Sequence, residues 1–441
     1  MIIVYPKEGQ HRVKHDLLWR VKSFVGIPNF NGKKAAFWHA VTILKIIILC
    51  SETIYTYKNL DNPNIFIMVA TYPLRIMGVW KLLHLSFDIK RVNRLFTAVH
   101  EEFWAFDVAG AELESKIKRK MLHTTVFVYV HSSLSLICVT FFAFNFMSQT
   151  PKGKRPLPNL VWTPFDTDPS PLHEIVFVVL LWNLYLTVLS NIFYDMMFVY
   201  CSRHLSVQFM LLKELLKNIT VRILEEKSDV ERFNSEYFQR SVMDRLKICA
   251  SHHNKLLKQI LLFPWRPNLM VDIPVDLDEI KRNHDISSEV NLFVILQYVR
   301  YGREIEEFCK SVLAPQLFIS FAILVINGYN LTVDHTDISR TIMLSNITGS
   351  SLVQLAVYAL QATDLREQSL SILNSVIECK WYLFRAPLKK ALVFMLMNSE
   401  KGIVITAAGM ITIDNPLLVD VVQKAFSSIT LLQAFVNEDT Q

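Results

Sequence analysis

Seven apolar stretches, each of about 20 residues and therefore long enough to cross a bilayer, divide this chain. Lys and Arg gather in alternate gaps between the stretches: segments 1–34, 81–121, 201–310 and 364–390 hold 37 of the 46, and the opposite gaps hold 5. Because positive charge stays on the cytoplasmic side of a membrane, this split predicts a cytoplasmic N-terminus. After seven crossings the C-terminus is expected to be extracellular, which is the reverse of a G-protein-coupled receptor.

The composition favours the same class of protein. Hydrophobic residues make up 51% of the chain and the mean hydropathy is +0.28, so we expect an all-α fold with seven transmembrane helices in membrane lipid. The net charge of +6 is explained by membrane orientation and does not indicate a nucleic-acid partner. The sequence has no phosphate-binding glycine loop, no His-Glu-x-x-His and no nucleophile elbow. We therefore expect neither an enzyme nor a bound cofactor or metal.

The expected organisation has four parts. They are a cytoplasmic segment over 1–34, six spans within 35–363, a cytoplasmic segment over 364–410, and a seventh span with a short extracellular tail over 411–441. The predicted spans are 35–56, 65–80, 122–146, 175–200, 312–333, 342–363 and 411–435.

The cytoplasmic segments carry helical patterns of their own. Apolar residues recur every three or four positions in 90–120 and 203–258, so the spans are expected to continue as packed helices beyond the membrane. Segment 364–399 reads as two further apolar helices joined around Trp381 and Tyr382. We interpret it as an assembly surface, and an ordinary surface helix is the alternative.

Ionisable residues within the spans need partners or water, because an isolated charge in a bilayer is costly. Lys45 and Glu52 lie seven residues apart on one helical face, Arg75 follows Pro73, and Asp195 lies near the inner end of span four. Each could be functional, but a structural pair or snorkelling is favoured for Glu52 and Asp195. His131 is expected to be a packing histidine.

Two further sequence patterns concern the receptor class and the outer surface. A rhodopsin-type receptor would end span three in Asp-Arg-Tyr, whereas this chain has Asn145-Phe-Met-Ser. The motif Asn415-Pro416 likewise lacks the tyrosine that such receptors place three residues after the proline. Asn330-Leu-Thr332 is a glycosylation acceptor at the predicted outer face.

The motifs that carry a family resemblance lie from about residue 352 onward, with weaker agreement upstream. This series resembles the C-terminal signature of insect odorant receptors. Its clearest members are Leu365 with Ser369, Trp381-Tyr382, Met397-Asn-Ser399, Thr406-Ala-Ala-Gly409 and the closing Lys424-Ala-Phe-Ser-Ser-Ile-Thr-Leu-Leu432.

The resemblance implies the ligand-binding subunit of a heterotetrameric, odorant-gated, non-selective cation channel. Its partner would be the odorant receptor co-receptor, in the plasma membrane of sensory-neuron dendrites. The last span differs from that of the co-receptor, so the chain resembles the tuning subunit. A gustatory receptor-type channel of the same superfamily is the alternative, although Thr430 is followed here by Leu431 rather than by the usual tyrosine. Residues 259–297 form an insertion relative to the family pattern.

The last span also carries a helical stripe that suits a pore. Val422, Phe426, Ile429 and Gln433 are spaced by four, three and four residues and so share one face. Four copies around an axis would form a narrow apolar constriction, with Ile429 as the gate. Packing against a neighbouring span is the alternative.

For the ligand, the resemblance implies a pocket in the outer half of the bundle, among spans two, three, four and six. A small, volatile and largely apolar molecule suits an apolar and aromatic lining with a few hydroxyl groups. Any one candidate could instead be a core residue. The candidates are Tyr72, Ser135, Phe142, Leu181, Tyr185 and Thr348.

The charge distribution yields a direct test of orientation. An epitope tag before Met1 should bind antibody only after cells are permeabilised, and a tag after Gln441 should bind on intact cells. The reverse labelling would contradict the predicted topology.

Overall fold

The computed structural model describes residues 33–60, 65–101, 103–148, 155–221, 223, 227–251, 286–333, 338–399 and 402–439. Within these residues the fold is all-α apart from one two-stranded hairpin. The helices are α1 (Lys33–Lys58), α2 (Ile65–Phe87), α3 (Ile89–Glu101), α4 (Ala111–Ser148), α5 (Leu172–Lys217), α6 (Asp229–Asn234), α7 (Glu236–Ser251), α8 (Ile286–Val333), α9 (Ile338–Glu378), α10 (Ala386–Ser399) and α11 (Asn415–Asp439). Short 3-10 helices cover Phe106–Ala109 and Trp381–Leu383, and the strands are β1 (Thr406–Ala407) and β2 (Ile411–Thr412).

Seven of these helices, α1, α2, α4, α5, α8, α9 and α11, match the seven predicted spans in order. Six of them are long and apolar enough to cross a membrane over the described residues. The seventh is α2, whose 23 residues make a helix about 35 Å long. The 46 residues of α5 reach about 70 Å, more than twice the thickness of a bilayer core. Helices α5 and α9 thus continue well beyond the predicted spans.

The start of the last span differs from the prediction. Ile411 and Thr412 pair with Ala407 and Thr406 in the antiparallel hairpin, which turns through Ala408 and Gly409 at positive φ. Helix α11 begins only at Asn415. Its start is fixed by the Asp414 carboxylate, which accepts the N–H of Leu417 at 3.0 Å, and by a proline in the first turn, where no N–H is needed.

The region that the sequence marks as an insertion is only partly described. From Ile286 onward the backbone is already helical and runs without interruption into the fifth span. Residues 259–285 lie outside the described part of the chain, as do 1–32.

The largest apolar core lies in the helical extensions. Large side chains such as Phe96, Trp104, Phe209, Phe238 and Phe308 are fully buried there. The side chain of Gln208 on α5 accepts the main-chain N–H of Trp104 at 2.9 Å and donates to its carbonyl at 3.1 Å, so no polar main-chain group of Trp104 is left unpaired.

A polar cluster ties three of the long helices together in the extensions. The Asp364 carboxylate on α9 receives Arg203 at 2.7 Å and Ser206 at 2.6 Å from α5, and it also pairs with Lys120 from α4. Because one carboxylate receives donors from two neighbouring helices, sliding of any of the three would leave a charge unpaired.

Helix α11 is held by a narrow face. Its buried residues Val421 and Ala425 pack with Leu324 of α8 and Leu355 of α9. Other apolar side chains of α11, such as Phe426, are largely exposed in the single chain. The helix therefore leaves most of its surface for lipid or for neighbouring subunits.

Close packing of α2 on α5 gives a stability prediction. A Cβ atom at Gly78 would lie 2.7 Å from Cγ2 and 3.2 Å from the carbonyl oxygen of Thr187, so Gly78→Ala must push the helices apart. We expect a loss of roughly 1–3 kcal/mol, measured as a lower melting temperature of the detergent-purified protein. Gly349→Ala is the control, because no side chain and no atom of another helix lies within 4 Å of the added Cβ, and it should raise stability by up to about 1 kcal/mol through helix propensity.

Candidate functional site

A cavity of about 130 Å³ lies among α2, α4, α5 and α9, toward the end of the bundle where α4 ends and α5 begins. Much of its wall is apolar. Cavities of roughly this size hold a single aromatic ring in other proteins. The apolar wall comprises Leu74, Val139, Phe142, Leu184, Val188, Ile192 and Ile347.

Polar groups interrupt this wall on all four helices. Thr71 and Arg75 come from α2, Ser135 and His131 from α4, and Asp195 from α5. Helix α9 adds amide and hydroxyl groups, and α5 adds a further amide. A small number of polar groups in an apolar cavity is the usual arrangement for orienting a small ligand. The further polar lining residues are Thr187, Asn191, Asn346, Ser350 and Gln354.

Arg75 belongs to a buried charge cluster beside the cavity. Its guanidinium lies 3.0 Å from the carboxylate of Glu52 on α1, and its Cζ atom lies 5.5 Å from the ring centre of Phe142. The side chain of Asn159, in the segment between α4 and α5, donates to the same carboxylate. Lys45, two turns before Glu52 on the same face of α1, is also buried.

Asp195 forms the centre of a second buried cluster, deeper in the bundle. Its carboxylate lies 2.6 Å from the ammonium group of Lys81 on α2 and accepts hydrogen bonds from Tyr358 and Gln354 on α9. The rings of Tyr194 and Tyr358 face the Lys81 ammonium at 5.5 and 5.9 Å. Each charge is thus compensated by the other and by neighbouring polar side chains.

This cluster extends to a fourth helix. Gln316 of α8 donates to the side-chain oxygen of Gln354 at 2.8 Å and to the hydroxyl of Ser320 at 3.1 Å. Gln354 therefore connects the carboxylate of Asp195 with α8, while its side chain also lines the cavity. A continuous chain of hydrogen bonds joins the cavity wall to the helix that packs on α11.

Comparison with known proteins assigns the chain to a family. The family model described as 7tm Odorant receptor matches residues 63–426. The chain belongs to the odorant receptor family. Its fold is similar to the solved structure of the insect olfactory receptor OR5 from Machilis hrabei, with 13% identity, a TM-score of 0.63, and coverage of 97% of this chain and 92% of that one. The structure of OR5 in complex with eugenol matches with 12% identity, a TM-score of 0.61, and coverage of 98% and 93%.

In this odorant receptor the cavity includes two of the six predicted ligand-binding residues, Ser135 and Phe142. Leu181 and Tyr185 pack with the apolar cluster beside it. The hydroxyl of Tyr185 pairs with Thr140 at 2.7 Å. These two residues stay predictions as ligand contacts.

The other two candidates have local partners. The hydroxyl of Tyr72 pairs with Thr53 on α1, away from the cavity. Thr348 donates to the carbonyl of Leu344 within its own helix at 2.8 Å. Neither residue lines the cavity in the part of the receptor that the structure describes.

The ionisable residues within the predicted spans mark the position of the cavity. Arg75, Asp195 and His131 stood out as ionisable residues within spans, and all three line the cavity. Lys81 was placed outside the membrane because it follows the last apolar residue of the predicted second span. It is fully buried, since α2 continues to Phe87 and the Asp195 carboxylate compensates its charge.

The predicted pore stripe divides between two environments in the single receptor chain. Ile429 is half-buried against α8, where a Cβ atom on Gly328 would lie 2.5 Å from its Cδ1. Phe426 is 65% exposed. Val422 and Gln433 are half-buried.

The predicted assembly residues Trp381 and Tyr382 are exposed on the 3-10 helix between α9 and α10. Asn330 lies in the last turns of α8, is 5% exposed, and donates to the carbonyl of Ile326 at 2.7 Å. An amide that is buried and hydrogen-bonded in this way does not favour the predicted glycosylation.

The Lys81–Asp195 pair gives a prediction about the receptor core. Asp195→Asn keeps the size of the side chain but leaves the buried ammonium without a counter-charge, so we expect a loss of about 3–5 kcal/mol. Thermal stability and surface expression should both fall. Adding Lys81→Met removes the orphaned charge and should recover much of the loss. Equal stability of the single and double variants would show that the pair does not hold the core.

Proposed function

We propose that this chain is a tuning odorant receptor, the ligand-binding subunit of a heterotetrameric, odorant-gated, non-selective cation channel. Its partner would be the odorant receptor co-receptor, and its site of action the plasma membrane of olfactory-neuron dendrites, with the N-terminus cytoplasmic. The observation that carries the proposal is the cavity enclosed by α2, α4, α5 and α9 in a chain of this family. The proposed role is that of a receptor and not of an enzyme.

The cavity supports a small, largely apolar ligand. A volume of about 130 Å³ leaves room for about one ring and a short substituent. Burial of the ligand's apolar surface would supply most of the affinity, and a few polar groups would fix its orientation. The related receptor OR5 has been solved in complex with eugenol, a molecule of this kind.

The hydrogen-bond chain from the cavity supports coupling between ligand and pore. A ligand in contact with Gln354 would shift its bond with Gln316, and Gln316 lies on α8. The same helix carries Gly328, against which Ile429 of α11 packs. Movement of α8 would therefore alter the support of the proposed pore helix.

The exposed surfaces support assembly. Four copies of α11 around an axis would bring the stripe of Val422, Phe426, Ile429 and Gln433 toward a central path. The exposed rings of Trp381 and Tyr382 would bury apolar surface against a neighbouring subunit. We assign this contact to the co-receptor.

A recording of membrane currents tests the proposal. Cells that express the chain together with the co-receptor should give inward cation currents when challenged with a panel of small volatiles. Cells that express only one of the two subunits should not show the same currents in response to this panel. Currents that persist unchanged without this chain, or that vanish when G-protein signalling is blocked, would contradict the proposed function.

The gate residue gives a sharper prediction. Ile429→Ser should hydrate the constriction and raise the basal current without ligand, because a polar hydroxyl weakens dewetting. Leu431→Ser is the control, since Leu431 is on a different face and is 58% exposed in the single chain. Basal current and ion selectivity that stay unaltered in Ile429→Ser at equal surface expression would show that this stripe does not line the pore.

A further inference from the structure

We propose that the cavity selects small ligands that carry a hydrogen-bond-accepting oxygen, and that the guanidinium of Arg75 donates to this oxygen. The inference rests on the proposed function and deepens it, because it names the chemistry of the ligand. Three observations support it: Arg75 has donors without acceptors, donors outnumber acceptors around Glu52, and the Asp195 carboxylate already accepts three partners.

Arg75 has unused donors next to the cavity. The residue is 7% exposed and lines the cavity wall. Its Nη1 lies 3.0 Å from a carboxylate oxygen of Glu52 without the geometry of a hydrogen bond, and its Nη2 has no hydrogen-bond acceptor among the described residues. A buried charged donor without an acceptor is unfavourable, so a ligand that supplies one gains affinity.

The charge balance points the same way. Two basic side chains, those of Lys45 and Arg75, lie beside the single carboxylate of Glu52 on this side of the cavity. Asn159 donates to that carboxylate as well. The ammonium of Lys45 has no hydrogen-bond partner within the described chain. Donors therefore outnumber acceptors in this cluster, and an electron-rich oxygen is the group that it lacks.

The carboxylate of the cavity wall, that of Asp195, already has its hydrogen-bond partners. Asp195 already receives Lys81, Tyr358 and Gln354. It therefore offers little to a ligand that donates a hydrogen bond. Of the two charged groups, Arg75 has a free donor and Asp195 has no free acceptor. This favours ligands that accept a hydrogen bond over ligands that only donate one.

The position of Arg75 also sets the shape of the ligand. Its guanidinium lies over the Phe142 ring, so an acceptor oxygen at Arg75 is adjacent to an aromatic wall. The apolar part of the ligand would fill the space bounded by Leu184 and Ile347. A ketone, an aldehyde, an ester or a carboxylate on a compact apolar body fits this description.

Isosteric pairs of probes test the inference on the unmodified receptor. Acetophenone and α-methylstyrene differ only in a carbonyl oxygen against a methylene group, as do 2-heptanone and 2-methyl-1-heptene. In cells that express the chain and the co-receptor, the carbonyl compound of each pair should activate at a concentration at least about tenfold lower than the alkene. A hydrogen bond to a charged donor implies a difference of this size. Benzoate distinguishes the two kinds of acceptor oxygen. If benzoate is more potent than acetophenone, the preferred acceptor is a carboxylate, and if it is less potent, the preferred acceptor is a neutral carbonyl.

A matched set of variants assigns the effect to Arg75. The variant Arg75→Met removes the donor and leaves the Glu52 carboxylate beside Lys45 and Asn159, and it should reduce the potency ratio to within about twofold. Glu52→Gln alone keeps the donor and should keep the ratio. Arg155→Met, which breaks an exposed ion pair with Glu174, is the control for loss of an arginine elsewhere.

The possible results separate the inference from the proposed function. Equal potency of both members of each pair, or responses confined to hydrocarbons, overturns the inference while the channel role stands. A potency ratio that survives in Arg75→Met overturns the role of Arg75. Absence of any response that depends on this chain, at normal surface expression, overturns the proposed function itself. The ratio in the unmodified receptor does not depend on whether a variant folds.

Discussion

The ion pair between Lys81 and Asp195 is the constraint on which the membrane half of the receptor depends. Both charges are buried, and either one alone would be strongly unfavourable in this environment. The pair joins α2 to α5, and the bonds from Tyr358 and Gln354 add α9. These helices cannot slide or rotate past one another without exposing a charge to an apolar medium. The register that this pair enforces also determines the shape of the cavity between the same helices.

The two halves of the molecule are built differently. The helical extensions hold a continuous apolar core around residues such as Trp104 and Phe308, closed by the Asp364 cluster. The membrane half has smaller apolar clusters, two polar clusters and a cavity. Fully buried side chains join the helices of the extensions into one apolar core. The cavity lies in the membrane half, among helices that the polar clusters join.

Much of the fold could be read from the sequence, because apolar runs and basic gaps report directly on what surrounds each segment. The hairpin before α11 was missed, since a short apolar run such as Ile411–Thr412 fits a strand or a helix equally well. Ser135 and Phe142 line the cavity. They follow from the resemblance, which implies a pocket in the outer half of the bundle, and from their position along the third span. The direction of Tyr72 depends on Thr53 in another helix, and the burial of Lys81 depends on Asp195. Pairings of that kind arise between helices, so no pattern along one helix reveals them.

The narrow contact of α11 has a consequence for how strongly a ligand must bind. A helix held mainly by Val421 and Ala425 makes few contacts that a displacement would have to break. Reversing a 1:99 distribution to 99:1 takes a difference in binding of about 5.5 kcal/mol between the two states. A molecule that fits about 130 Å³ has few atoms with which to supply it. Under the proposed channel role, a weakly held α11 would lower that requirement, and a small volatile would then be able to shift the population.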